Sequence, residues 1–216
     1  MKGGISICLA ASKGGVGKTT LTCTLAVRAS QESERVALLD VDPQHSTARW
    51  WELRGKPSNP RLFTHVENVA DDIALLKSRG WQWIMVDTPG SGHEHLMEPA
   101  VLAADFVLIP CKASGIDAEA IVAIADLCRR KRKPYAIVIS DVEPKWKISA
   151  SAAELLEDYG RVLPIQVAHR QAHLAGMSFG KTGAEYSDKK QAAQAAQEID
   201  ALWVSVRKLA MASVAK

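Results

Sequence analysis

An apolar run from Gly4 to Ala11 passes directly into Ser12-Lys13-Gly14-Gly15-Val16-Gly17-Lys18-Thr19-Thr20, and this juncture constrains the fold more than any other feature of the chain. Ile5, Ile7, Cys8 and Leu9 read as a buried strand, and Leu21, Leu25 and Ala26 recur at helical spacing over Thr19 to Ala29. Between them, glycines let the backbone bend close to a bound anion, while the helix that follows turns the positive end of its dipole toward it. A lysine and a hydroxyl at the helix start, Lys18 and Thr19, supply charge and a metal contact. Gly14, Gly15, Val16, Gly17, Lys18, Thr19 and Thr20 are therefore expected to cradle the phosphates of a nucleoside triphosphate, with magnesium. Ser12 stands where the usual phosphate loop has its first glycine, so the strand, loop and helix around it carry the assignment.

Two further apolar strands end in acids. Val36-Ala37-Leu38-Leu39-Asp40-Val41-Asp42-Pro43-Gln44 closes on two carboxylates two residues apart, and Trp83-Ile84-Met85-Val86-Asp87-Thr88-Pro89-Gly90 closes on one. In an open parallel sheet the C-terminal strand ends are where ligands sit. Carboxylates beside a triphosphate there can hold the waters of magnesium or orient an attacking water. Strand-ending turn residues are the plainer reading of each acid taken alone; three such elements in this order favour the nucleotide site.

Lys13 has no evident task on its own phosphates, since Lys18 already reaches them. Lys13-Gly-Gly-Val-Gly-Lys18-Thr-Thr resembles the deviant Walker A motif of the ParA/MinD family of P-loop ATPases. The Asp40 to Gln44 stretch is similar to the family's Walker A′ motif, and Trp83 to Gly90 to a Walker B segment. Arg170 to Gly183 is similar to the family segment after the last strand, so most of the chain is covered. The resemblance implies that Lys13 crosses a nucleotide-sandwich dimer to the partner's phosphates. It further implies that Asp42 positions the hydrolytic water, that Asp40 and Asp87 join Thr19 around the magnesium, and that Thr88 to Gly92 senses the terminal phosphate. The catalytic set is then Lys13, Lys18 and Asp42, with ATP and Mg2+ as cofactors. Two departures stand out: no helix-turn-helix extension precedes the loop, and Ser46-Thr47-Ala48-Arg49-Trp50-Trp51 replaces a run of small residues.

Strand-like runs at Ile5–Ala10, Val36–Val41, Trp83–Val86, Phe106–Pro110, Tyr135–Ile139 and Val162–Val167 alternate with helical patterns such as Asp117–Arg130. Alternation of this kind predicts an α/β fold, a mostly parallel twisted sheet with helices on both faces; by the resemblance it is a P-loop NTPase. With 216 residues and 47% apolar content, the economical expectation is a single domain over residues 1–216. The proline-rich and glycine-containing stretch Arg54 to Arg61 is expected to be a surface loop. No run approaches the roughly 18 apolar residues of a membrane span, and no secretory signal heads the chain, so a cytoplasmic location is expected. Cys8, Cys23, Cys111 and Cys128 are widely separated and read as small core residues.

Charge is uneven along the chain: residues 1–110 carry 11 basic and 12 acidic side chains, residues 111–216 carry 16 and 12. Lys145, Lys147, Arg170, Lys181, Lys189 and Lys190 fall at expected helix ends and loops, where they could meet phosphates without reading bases. The net charge of +3 is modest, so a dimer is expected to be needed to build a DNA-binding surface. Arg129-Arg130-Lys131-Arg132-Lys133 is denser but also suits a solvated helix C-terminus. Ile199, Leu202, Trp203, Val206, Leu209 and Ala210 share a helical face; packing on the sheet is the ordinary reading of that stripe, and a membrane anchor the less favoured one. His93 and His95 are read as a solvated loop pair rather than metal ligands.

Together these readings predict a DNA partition ATPase: ATP joins two subunits, the homodimer binds DNA without sequence preference, and hydrolysis, stimulated by a centromere-binding partner protein, releases it. Such a protein would be nucleoid-associated. The alternative is an adaptor that uses the same switch to recruit a conjugative-transfer or polar cargo, with Arg49, Trp50 and Trp51 as contact surface.

Overall fold

The computed structural model describes residues 3–33, 35–64, 68–112, 118–143 and 156–215, with the backbone alone over 118–120. In chain order the elements are β1 (Ile5–Leu9), α1 (Lys18–Ser30), β2 (Val36–Asp40), α2 (Ser46–Leu53), β3 (Arg61–Thr64), α3 (Val69–Ser78), β4 (Trp83–Asp87) and α4 (Glu94–Ala103). There follow β5 (Phe106–Lys112), α5 (Ala118–Arg130), β6 (Tyr135–Val142), β7 (Val162–Ala168), α6 (Gln171–Ser178), a 3-10 turn (Gly183–Glu185) and α7 (Lys189–Val214). The seven strands form one sheet in the order β3-β2-β4-β1-β5-β6-β7, and every described pair is parallel.

Side chains alternate across each strand, so each strand feeds two cores. Cys8, Leu39, Val86 and Ile109 point to the layer covered by α3, α4 and α5. Ile7, Leu38, Met85 and Leu108 point to the layer covered by α1, α2 and α7. Burial on both faces explains why these strands read as continuous apolar runs. All four cysteines are buried, as their spacing suggested.

The stripe of α7 faces the sheet. Ile199, Leu202, Trp203 and Val206 are buried, and Trp203 meets Trp83 edge-on with ring centroids 4.8 Å apart. Its indole N–H donates to Glu32 at 3.0 Å. The anchor reading of this face is thereby displaced, because the apolar side is already covered. Among the described residues no helix is long and apolar enough to cross a membrane.

One strand escaped the sequence pattern. Arg61–Thr64 forms the edge strand β3, paired with Ala37 to Asp40 of β2, and Arg61 belongs to it rather than to the preceding loop. Neither face of this four-residue edge strand is fully buried, so no apolar run marks it.

The chain order reverses around β1, which lies between β4 and β5. The registers set Leu9 beside Asp87 and Asp87 beside Asp40. Three strand ends thus stop at one level, at the crevice where such sheets bind ligands.

Candidate functional site

The loop between β1 and α1 turns on two glycines with positive φ, 73° at Gly15 and 90° at Gly17. Side chains other than glycine adopt that region at a cost, so these two positions need glycine. Gly17 is also the N-cap of α1 and brings no side chain to its first amides, which remain for an anion. Across the loop, Gly90 lies close: a Cβ there would sit 3.4 Å from the Gly14 backbone.

Lys18 is buried, and its Nζ donates to the carbonyls of Ala11 at 3.2 Å and Lys13 at 3.0 Å. Burial lowers its pKa, while Asp87 and Asp42 act to keep it charged. Lys13, five residues earlier, is exposed.

The acids gather beside the loop. Asp87 is fully buried and accepts from the hydroxyls of Thr19 at 2.8 Å and Thr47 at 2.7 Å. Burial pushes its pKa up to about 7, and the nearby carboxylates of Asp40 and Asp42 add to the rise. Asp40 is 1% exposed and accepts from the Asp42 amide at 3.1 Å and the Ala48 amide at 2.9 Å. Burial raises its pKa too, against those two bonds. Asp42 is partly exposed at the cleft, with one oxygen accepting from the Gln44 amide at 2.9 Å. Thr88 is buried and ties the Asp87 strand end to Leu9 through a 2.7 Å bond to its carbonyl.

A cleft of about 550 Å³ runs from this loop toward the ends of β5, β6 and β7. Its far wall holds groups that the motifs did not reveal. Lys112 pairs with Asp141 at 2.7 Å, His169 Nδ1 bonds to the same carboxylate, and Asp141 holds a positive φ of 57°. Deeper in, His173 is 7% exposed and neither ring nitrogen finds a partner among the described residues. Lys112 and Asp141 sit at C-terminal strand ends, so the ligand-edge rule could have flagged them; His173 needed the packing of α6.

The cleft fits a magnesium nucleotide on the donors it presents: glycine amides and a lysine for phosphates, and a hydroxyl with buried carboxylates for a hard cation. Among the described residues no group of three or more histidines, cysteines and acids is gathered closely enough to hold a metal ion by itself, and His93 and His95 have ring centroids 6.0 Å apart.

The other described candidate residues lie around α2, α6 and α7. Arg170 is committed inside the fold: its Nε donates to Glu198 at 3.1 and 3.2 Å and its Nη1 to Gln194 at 2.8 Å. These bonds hold its fork against α7. Lys181, Lys189 and Lys190 are exposed around the turn that joins α6 to α7. Lys145 and Lys147 lie outside the described residues. Trp50 is 2% exposed, donates to the Lys181 carbonyl at 3.1 Å and lies under Arg54. Trp51 is partly buried and donates to the Pro60 carbonyl at 3.0 Å, leaving only Arg49 of the expected contact surface exposed.

Comparison with known proteins agrees with this arrangement. Residues 7–202 match the family model described as the CobQ/CobB/MinD/ParA nucleotide binding domain. The chain is 29% identical over 214 residues to maintenance of carboxysome distribution protein A of Gloeobacter kilaueensis, covering 88% of this chain and 92% of that protein. It is 26% identical over 227 residues to the chromosome-partitioning ATPase Soj of Thermus thermophilus, covering 88% and 91%. The septum site-determining protein MinD of Pyrococcus horikoshii, solved with Mg-ADP, superposes with a TM-score of 0.72 at 18% identity, covering 97% and 98%. The chain belongs to the CobQ/CobB/MinD/ParA nucleotide-binding domain family, the ParA/MinD family of ATPases.

Proposed function

We propose that this protein is an ATP-driven partition switch: ATP joins two copies, the dimer binds DNA without sequence preference, and hydrolysis releases it. The observation that carries the reading is the contrast between the two loop lysines, Lys18 buried and Lys13 exposed. In this reading the exposed lysine serves the nucleotide of a second copy. Two relatives that align over most of their length, named for carboxysome distribution and chromosome partitioning, support a positioning role.

In this reading the Lys18 ammonium leaves the Ala11 and Lys13 carbonyls and donates to phosphate oxygens, as do the amides of residues 14–20. Thr19, Asp40 and Asp87 would hold magnesium, which neutralises charge on the phosphates when bound. Asp42, at the mouth of the cleft, accepts a proton from the attacking water and orients it. Asp40 and Asp87 stay behind it, too deeply buried for that task. Lys13 of the second copy balances charge developing on the phosphates, and loss of the terminal phosphate removes its ligand, so the dimer parts. Lys181, Lys189 and Lys190 are the described candidates for DNA phosphates, with Lys145 and Lys147 beside them in the proposal. A partner protein that marks the cargo would stimulate hydrolysis, and the protein would work on the nucleoid as one domain.

Binding of the purified protein to arbitrary duplex DNA, with ATP and with ADP at matched salt, tests the reading. Binding with ATP alone is expected. Absence of binding in both states would refute the DNA step and favour recruitment of a protein cargo.

A further inference from the structure

Two hydroxyls from separate elements converge on one oxygen of Asp87. Thr19 of α1 donates to Oδ2 at 2.8 Å and Thr47 of α2 donates to the same atom at 2.7 Å. Thr22 lies 3.3 Å from Oδ1 but also 2.9 Å from the Lys18 carbonyl. A hydroxyl has one proton, and the shorter bond claims it. Asp87 is therefore held by Thr19 and Thr47.

Thr47 has no exposed surface and its proton is given to Asp87. Among the described residues its other polar contact is the thiol of Cys23 at 3.8 Å, and because the Thr47 proton is spent, the sulfur is the donor of that contact. The next residue of α2 is fastened at the same depth, Ala48 donating its amide to Asp40 at 2.9 Å. The first turn of α2 is thus latched to two buried carboxylates, one at the end of β4 and one at the end of β2. A valine would fill the same space as Thr47, so shape alone does not call for the hydroxyl.

The torsion that turns a carboxylate about its last bond is soft. One donor on Oδ2 leaves Asp87 free to swing with Thr19, whereas a second donor from a different element fixes the plane. With its proton directed to Asp87, Thr19 keeps its lone pairs for a cation on the phosphate side. We propose that Thr47 is a positioning residue for the magnesium site, holding Asp87 in the orientation that aims the Thr19 hydroxyl. The inference rests on the magnesium-nucleotide reading given above. Because α2 begins four residues after Asp42, the same bond also tethers the segment that follows the water-orienting acid.

The test is ADP binding to the full chain, titrated with magnesium and repeated in EDTA, for wild type, Thr47→Val and Thr47→Ser. Losing a group that orients metal ligands commonly weakens metal affinity about 10- to 100-fold. Thr47→Val should raise the half-saturating magnesium concentration by that order while ADP affinity in EDTA stays at the wild-type value. Thr47→Ser, which keeps the donor, should restore the wild-type magnesium requirement. An unshifted requirement in Thr47→Val overturns the proposal, and so does an equal shift in Thr47→Ser, which would trace the effect to the methyl group. If Thr47→Val does not fold, Thr47→Ala takes its place, and an unshifted requirement there is equally fatal. A wild-type protein whose ADP binding ignores magnesium would overturn the metal reading itself; dependence in wild type with no shift in the variants would overturn only Thr47.

Discussion

Replacing Asp87 with asparagine should make the nucleotide-free protein more stable at pH 8 and less stable at pH 4. The carboxyl is fully buried, and its pKa rises from 3.8 to about 7, chiefly through burial. Its folded-state pKa is thus above the unfolded value. Between the two values the native state keeps a proton that the unfolded chain has lost, so stability falls as pH rises through this window. The full shift corresponds to about 4 kcal/mol. Asparagine does not titrate, but it serves the Thr19 and Thr47 hydroxyls less well, a pH-independent loss of about 1–3 kcal/mol. The two effects nearly cancel midway. At pH 8 the variant should lead by about 1–3 kcal/mol, and at pH 4 it should trail by a similar amount. Urea denaturation of both proteins in EDTA, followed by circular dichroism from pH 5 to 8, covers more than half of the change. The relevant quantity is the difference between the two proteins, since Asp40 and other groups titrate in both. A difference that stays flat across that range would refute the buried-carboxylate argument.

Four further outcomes are expected. Asp42→Ala should keep ATP binding and dimerisation while turnover drops on the order of a hundredfold or more, the usual cost of losing a group that handles a proton; a fully active variant, by phosphate release, would remove Asp42 from the mechanism. Lys13→Gln should bind ATP yet sediment as a monomer with ATP, and an ATP dimer of that variant would end the role across the interface. Trp203→Ala should cost about 3–5 kcal/mol in chemical denaturation, because Trp203 is 0% exposed and packs on Trp83. The double variant Lys189→Glu with Lys190→Glu should lower the salt dependence of DNA binding by roughly 0.9 for each DNA phosphate that is no longer neutralised, with equal weakening on unrelated sequences; an unchanged slope would move the DNA surface elsewhere.

The phosphate loop, the six longer strands and the acids that end β2 and β4 were legible in the sequence, because each rests on local spacing. An apolar run needs only a buried sheet to become a strand, and glycines at 15 and 17 need only a tight turn to be required. The same local reading found the apolar face of α7, which the sheet covers. It could not find what depends on distant partners. Arg61–Thr64 is a strand because β2 offers an open edge, not because its own residues insist on it. Trp50 was a contact residue only in the adaptor alternative, and nothing local announced that its N–H would meet the carbonyl of Lys181, 131 residues away. Arg170 was legible as a cation, but its pairing with Glu198 on α7 was not. Asp87 was recognisable as an acid at a strand end, but its raised pKa comes from complete burial, and its two hydroxyl donors come from α1 and α2. Chain-local periodicity and turn chemistry thus determined which segments would build the site. Long-range packing alone decided which buried polar groups meet there, because burial and pairing are properties of the folded assembly of elements and not of any one segment.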